Sequence, residues 1–545
     1  MTRRGWWLLA LVLLVTGATF APAVGYEFVY DDHPVIEDNP TLQDPRQILR
    51  GFTENVWAFS PENTRPIYYR PVFMAWVTVH RLVFDVNPAP WHATTILLHL
   101  LAVAILFGLI RRLSGSEPLA AAAALLWGVH PTRVESVAWV LGNTDPMAAV
   151  FGFGALWLWI DDRRRLALGS FSLALLCKET SLGFAALPVL LAFFTGDPRP
   201  IAGRARDAVR VALPWAAVVV AYFVVRVSVM GALAPTFTDA DVPTAGRTVV
   251  TLVGLYAKKL LIPGPSSLLY PVGPVASSSD PMFMEALPWA VLALGVFAFL
   301  VSRRGVLAAL TLGAVVFLIP VLRVRGLQAD AFFQDRYLYL PSACLIPALC
   351  WTLGDLFRRM DPTREPSAVQ RFVPVGLAVL LAAVAVVSSA RNLPAWQNDV
   401  TLWSRALELN PTASRAWFNL GVLHENAGDV DAARDAYRRA ADGTPPRSIG
   451  AFRAALLDAE AGRLDAAREG FRQAVLMRPR DPMFLFEAAQ LEAHFGALDV
   501  ALELLDEADA ALAEGAPAGR GVTPEAVARS RARVLARRDR GASLP

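Results

Sequence analysis

Lysine is almost missing from this chain. Only Lys178, Lys258 and Lys259 occur, and arginine supplies the rest of the 51 basic residues. Cysteine is equally scarce. Cys177, Cys344 and Cys350 all lie in apolar stretches, which excludes a disulfide framework and any zinc-type spacing. Charged residues make up only 18% of 545, against 55% hydrophobic and a mean hydropathy of +0.41. A soluble chain carries more charge and less apolar weight, so the composition is that of a polytopic membrane protein. The net charge of +3 gives no ground for a nucleic-acid partner.

What is present divides in two. Residues 1–395 carry the long apolar runs, and residues 396–545 read as soluble and helical. The first run, Trp6 to about Val24, follows the basic start MTRR. It reads as a retained helix; a cleaved signal peptide ending near Ala21-Pro22-Ala23 is the alternative. Further runs are 91–110, 118–129, 146–160, 166–177, 181–195, 211–230, 287–302, 305–322, 337–355 and 373–390. Several fall short of the roughly 20 residues of a straight span, as half-helices or tilted pairs would. Arginine clusters at 3–4, 111–112, 163–165, 199–210, 303–304 and 358–371 fall on one side if the runs alternate. This predicts about eleven crossings, a cytoplasmic N-terminus and an extracytoplasmic C-terminal part, in a multipass plasma (inner) membrane protein. The loop 31–70, the loop 130–145 and residues 396–545 then share the outer side. Stretches 71–86 and 249–263 are expected as helices lying on that surface.

The C-terminal part repeats itself. Gly428, Gly462 and Gly496 recur every 34 residues, as do Ala433, Ala467 and Ala501, and Tyr437, Phe471 and Leu505. Trp417, Leu420 and Gly421 open the first unit, and Pro445 and Pro479 close the first two. Trp403, Ala406 and Pro411 form a preceding half-unit. This is the tetratricopeptide pattern of small and large residues where paired helices cross. It predicts a half repeat over 396–413, repeats over 414–447, 448–481 and 482–515, and a basic capping helix and tail over 516–545. The expected fold class is therefore all-α: a polytopic helix bundle followed by an α-solenoid.

Chemistry concentrates in the outer loops. YDDHPVIEDNP places Asp31 and Asp32 directly after the first run, in a stretch with no helix or strand period. Paired acids repel one another and resist desolvation unless water, a cation or a substrate compensates them. A carboxylate at a membrane surface suits the deprotonation of a hydroxyl as a new glycosidic bond forms. A plain solvated loop or a helix cap is the alternative. In HPTRVESVAWVLGNTD, His130, Arg133 and Glu135 meet between two helices, where Glu135 is a catalytic candidate and His130 and Arg133 would position an acceptor. Lys178 interrupts the apolar run LALLCKETSLGF and suits a donor phosphate as a point charge; a local pair with Glu179 is the alternative. Arg323, Arg325 and Arg336 stand on the side where arginine is otherwise scarce. Guanidinium groups there suit a bound phosphate, with pairing to Asp330, Asp335 or lipid headgroups as the plain alternative. No metal-ligand cluster is visible. A divalent cation remains open only through the paired acids.

YDDHPVIEDNP, HPTRVESVAWVLGNTD, CKETS and DRYLYLPS occur in this order and are followed by tetratricopeptide repeats. This ordered set resembles the transmembrane and tetratricopeptide-repeat O-mannosyltransferase family, of the GT-C class. The arginine and alanine bias suggests a bacterial relative. The resemblance implies a polyprenyl-phosphate-linked sugar as donor, Asp31 as the catalytic carboxylate with Asp32 beside it, and repeats on the extracytoplasmic side. The expected function is transfer of a single sugar, mannose being the family's, to Ser/Thr hydroxyls of a protein held in the repeat groove. The same chemistry on a lipid or surface glycan is the near alternative, and a non-enzymatic scaffold recruiting partners through its repeats is the distant one.

Overall fold

The computed structural model describes the chain apart from residues 60–67, 196–199, 232, 234–237, 329–330, 360–367, 518–521 and 543–545. Part of the first outer loop, Arg199, Asp330 and Arg364 thus lie outside the described residues, as do the side chains of Arg358, Arg359 and Arg371. Among the described residues no strand forms beyond one isolated bridge, Ala413 to Thr444. The chain divides into two units, Met1–Leu402 and Trp403–Pro545.

All eleven apolar runs are helical. Among the described residues seven helices are long and apolar enough to cross a membrane: Arg3–Gly25, Pro88–Ser114, Ile201–Met230, Pro281–Ser302, Gly305–Leu322, Asp335–Phe357 and Val373–Trp396. The remaining four, Glu117–Gly128, Thr144–Ile160, Arg164–Cys177 and Ala186–Thr195, have 12, 17, 14 and 10 residues. Local chemistry sets the boundaries. Asn87 accepts the Ala89 N–H at the start of Pro88–Ser114, with proline in the first turn. Gly115 closes that helix at φ +69°, a conformation that costs a residue with a Cβ. The long helices turn apolar residues outward: Val209, Leu213, Val220 and Val224 on one, Val379, Leu380 and Val384 on another. Those faces suit lipid tails, which are as apolar as leucine.

The bundle's interior is aromatic, and polar groups at its centre bond one another. Trp127 meets Tyr339 edge to face at 5.0 Å and donates its N–H to the Tyr339 carbonyl at 3.1 Å. His99 bridges the Tyr339 hydroxyl (2.7 Å) and the Gly128 carbonyl (2.9 Å). Thr144–Ile160 and Arg164–Cys177 run antiparallel, joined by a turn at Asp161–Arg163 and bonded midway from Ser170 Oγ to the Phe151 carbonyl.

The bundle has two polar ends. At one, Thr2 donates to Glu117 at 2.9 Å and Arg112 pairs with Asp161. At the other, the Leu141 N–H donates to Asp32, Lys178 pairs with Asp145, and Arg336 pairs with Glu135. The apolar helices Pro71–Phe84 and Val242–Leu261 occupy the stretches expected to lie on the outer surface.

In the second unit, helix pairs Ser414–Asn426 and Val430–Asp442, Ser448–Glu460 and Leu464–Met477, and Pro482–Phe495 and Leu498–Ala513 follow one another. Gly428, Gly462 and Gly496 sit between the members of each pair at φ +79°, +72° and +83°. The 34-residue glycine period is thus a period of left-handed turns, which glycine enters without a Cβ clash. Ala433, Ala467 and Ala501 are fully buried where the helices cross. Pro524–Ala542 forms the terminal helix.

Candidate active site

At the Asp31 end of the bundle, a cavity of about 300 Å³ opens among segments far apart in sequence. Its charged lining among the described residues is Asp31, Arg70, Lys178, Glu179, Arg226, Arg323 and Arg336. Trp57, Tyr68, Phe73, Trp139, Phe223 and Tyr337 add aromatic surface. Cations therefore outnumber acids, and the lining combines charged with apolar side chains. That is the chemistry of an anion with an apolar tail.

The first loop forms a tight turn. Tyr30 is held at φ +56°, and the chain then enters the short π-helical segment His33–Glu37. Asp31 lines the cavity, and Asp32 beside it is fully buried. Asp32 Oδ2 accepts the Val29 N–H at 3.2 Å, and Oδ1 accepts the Leu141 N–H at 3.0 Å. Burial pushes the Asp32 carboxyl up to about 8, against these two backbone N–H groups and His33, which pull it down. Asp32 thus ties the first loop to the 139–141 turn and is not among the residues lining the cavity.

Glu135 is also fully buried behind the lining. Its two oxygens accept from the Arg336 side chain at 2.9 Å and the Arg336 backbone N–H at 3.0 Å. Burial pushes Glu135 up to about 7, with Arg336 the main opposing influence. The Arg336 guanidinium lies over the Trp139 ring, 5.1 Å from its centroid. Lys178 donates to Asp145 Oδ1 at 2.6 Å, and burial lowers its ammonium against the pull of Asp145. Glu179 pairs with Arg70 through two bonds of 3.1 and 2.9 Å, so Lys178 and Glu179 face different partners. Arg226 donates to the Leu233 carbonyl at 3.1 Å. Arg323 is exposed and lines the cavity. Arg325 instead donates to the Ala240 carbonyl at 3.2 and 3.0 Å and does not line it.

His130 and Arg133 are buried below this layer. His130 Nε2 donates to the Leu260 carbonyl at 3.1 Å while Nδ1 accepts at Thr132, and burial pushes the imidazole down to about 3, so it is neutral. Arg133 donates to the Tyr339 carbonyl, the Leu338 carbonyl and Ser342, where the 3₁₀ turn Asp335–Leu338 passes into the next helix. Asp335 pairs with Lys259 at 3.2 Å. Among the described residues no three His, Cys, Asp or Glu side chains gather as a metal site.

The sequence reading did not find Arg70, Arg226 or the part played by Glu179. Arg226 had a signal: an arginine inside an apolar helix, which is costly unless it faces a polar space. Arg70, in Tyr68-Tyr69-Arg70-Pro71, had none.

Fold and site together define a polytopic helical membrane protein with a cationic, acid-bearing cavity and a helical repeat unit. Residues 400–448 and 452–517 match the tetratricopeptide repeat family. Among curated proteins, the chain is 25% identical to a protein O-mannosyl-transferase of Caenorhabditis elegans, over 78% of this chain and 61% of that one. It is 24% identical to protein O-mannosyl-transferase TMTC3 of Mus musculus, over 79% of this chain and 50% of that one. For protein O-mannosyl-transferase TMTC4 of Homo sapiens the figures are 26%, 78% and 65%. The chain thus spans between half and two thirds of the length of these relatives. The resemblance drawn from the loop motifs is met by these similarities.

Proposed function

We propose that this chain is a membrane glycosyltransferase that moves one sugar, mannose by its relatives' name, from a polyprenyl phosphate to Ser/Thr hydroxyls of a protein. The observation that carries the reading is the cavity, where Asp31 shares one space with Lys178, Arg323 and Arg336. Asp31 is the general base. It takes the acceptor proton as the hydroxyl oxygen bonds to C1 of the sugar, while the C1–O bond to phosphate breaks and polyprenyl phosphate leaves. Lys178, Arg323 and Arg336 meet the phosphate, where fixed cations stabilise the charge that develops on the leaving group. Arg70 and Arg226 extend the cationic wall. Asp32, Glu135, His130 and Arg133 act from behind it: Asp32 fixes the Asp31 turn, Glu135 fixes Arg336, and His130 and Arg133 fix the helix starts around the site.

The same reading places the N-terminus in the cytoplasm and the repeats outside. It is supported by the bundle's two polar ends, with Thr2, Arg112 and Asp161 at one and the cavity at the other. The repeats supply a surface for the protein acceptor, as tetratricopeptide arrays do for extended peptides. The direct experiment incubates the purified chain with a panel of polyprenyl-phosphate sugars and a Ser/Thr-rich peptide. Consumption of one lipid sugar with peptide glycosylation is expected. Consumption with transfer only to lipid or glycan removes the protein acceptor, and no consumption of any donor overturns the reading. Arg323→Ala, at an exposed position, should raise the donor KM about tenfold and leave the peptide KM unchanged. An effect on the peptide alone removes Arg323 from the phosphate.

A further inference from the structure

The acid in the cavity rests on a turn that its own segment bonds only in part. Tyr30 stands at φ +56°. A bulky side chain there costs on the order of 1–2 kcal/mol, and the conformation persists only where the surroundings impose it. Two groups impose it from opposite sides. One is Asp32, bonded to the 139–141 turn as described. The other comes from near residue 400. Asp399 Oδ1 accepts the Tyr30 N–H at 2.9 Å, and Asp399 Oδ2 meets His33 Nε2 at 2.8 Å. A single carboxylate thus grips both flanks of Asp31-Asp32. Glu37 pairs with the other nitrogen of His33.

The grip extends beyond one side chain. The Glu27 N–H donates to the Gln397 carbonyl at 3.0 Å. Trp396 is fully buried and stacks on Trp139, with ring centroids 6.1 Å apart. Trp139 in turn lies 6.0 Å from the Tyr30 ring and carries the Arg336 guanidinium on its face. The segment 396–399 therefore touches the turn that bears Asp31 and the ring beneath Arg336.

Asp399 is the first residue of the helix Asp399–Leu409, so a cap is the ordinary explanation for an acid there. That task is already filled. Asn398 Oδ1 accepts the Thr401 N–H at 3.0 Å, and Thr401 Oγ1 accepts the Asn398 N–H at 3.2 Å. This is a reciprocal capping box. Both Asp399 oxygens reach across the chain to the first loop.

We propose that Asp399 is a positioning residue for Asp31, whose carboxylate clamps the catalytic turn from within the same unit, Met1–Leu402. The inference rests on the reading of Asp31 as the base. Its test has one arm that needs no substrate.

Hydrogen exchange on the full-length chain in lipid nanodiscs supplies that arm. Asp399→Ala should speed exchange in the segment 27–35 at least about tenfold, as local opening becomes easier, and leave the segment 178–185 unchanged. Thr401→Ala weakens the cap and spares the carboxylate, so it should leave 27–35 as in the parent chain. Unchanged exchange in Asp399→Ala, or the same acceleration from Thr401→Ala, overturns the proposal. Should Asp399→Ala fail to assemble, Asp399→Asn is read in its place, with unchanged exchange again overturning the clamp. The second arm uses polyprenyl-phosphate mannose and a Ser/Thr peptide. Here Asp399→Ala should lower kcat about 10- to 100-fold while the donor KM stays within about twofold, the mark of a displaced base beside an intact donor site. A kcat at the parent level overturns the positioning role. If the parent chain transfers nothing, the exchange arm still decides the clamp, and the failure belongs to the proposed function.

Discussion

Charge does opposite work in the two units. In Trp403–Pro545 the pairs lie mostly at the surface: Arg480 and Glu514 meet at 2.6 Å with side chains 79% and 59% exposed. In Met1–Leu402 the pairs near the cavity are much less exposed: Lys178 and Asp145, also at 2.6 Å, are 6% and 3% exposed. The distances are equal and the meaning is not. A surface pair gains little over water, whereas a buried one repays desolvation only if both partners remain. A charge inside an apolar bundle therefore marks a place that something else requires. A charge on a repeat helix marks mostly solubility.

The strongest way to break that contrast is at Asp31. Asp31→Asn keeps the shape and removes the proposed base, so turnover should fall by roughly 10² to 10⁴, with thermal unfolding unchanged. Near-normal turnover would return the role to another acid. The next effect is on stability. Lys178→Met leaves Asp145 buried without its cation and should destabilise the bundle by about 3–5 kcal/mol, read by thermal or denaturant unfolding in detergent. A loss of activity with unchanged stability would mean that Lys178 serves substrate alone.

A smaller effect is a pH dependence of the first loop. Bonding to Asp399, chiefly, and the neighbouring Glu37 push His33 up to about 9 from an ordinary value of 6.5, against its partial burial. The folded state thus holds this proton more tightly than the unfolded chain. Its stabilisation is complete below pH 6.5 and is lost as pH rises through 9. Exchange in 27–35, corrected for the intrinsic rate, should accelerate over that window and become flat in His33→Gln. A flat profile in the parent chain would refute it. The smallest effect is expected in the repeats, where Arg480→Ala should leave Tm unchanged within error. A clear drop would show that the surface pairs of the second unit are not the weak partners their exposure makes them.

Sequence reasoning reached the helices because lipid-facing and core-facing apolar residues both raise hydropathy. It reached the repeats because a left-handed glycine every 34 residues leaves a visible period. It also named Asp31, Lys178, Arg323 and Arg336, which the fold brings to one cavity. Its preference for Asp31 over Asp32 came from the family resemblance, because the residues alone gave no ground for it. Adjacent residues of an irregular turn face different ways, and the choice depends on the backbone N–H groups of Val29 and Leu141. Nor could it pair Arg70 with Glu179 or Asp399 with Tyr30. Those contacts join residues 109 and 369 positions apart, and no local pattern records them.

The Tyr30 to Asp399 bond also carries a clock. A ribosome releases Tyr30 early and Asp399 only after the last apolar helix, and contacts this distant in sequence close late. Until then the turn at Tyr30 has its Asp32 bonds but lacks the Asp399 carboxylate that holds both its flanks. The turn that bears Asp31 would therefore take its final form only once residue 399 had been made and folded into place.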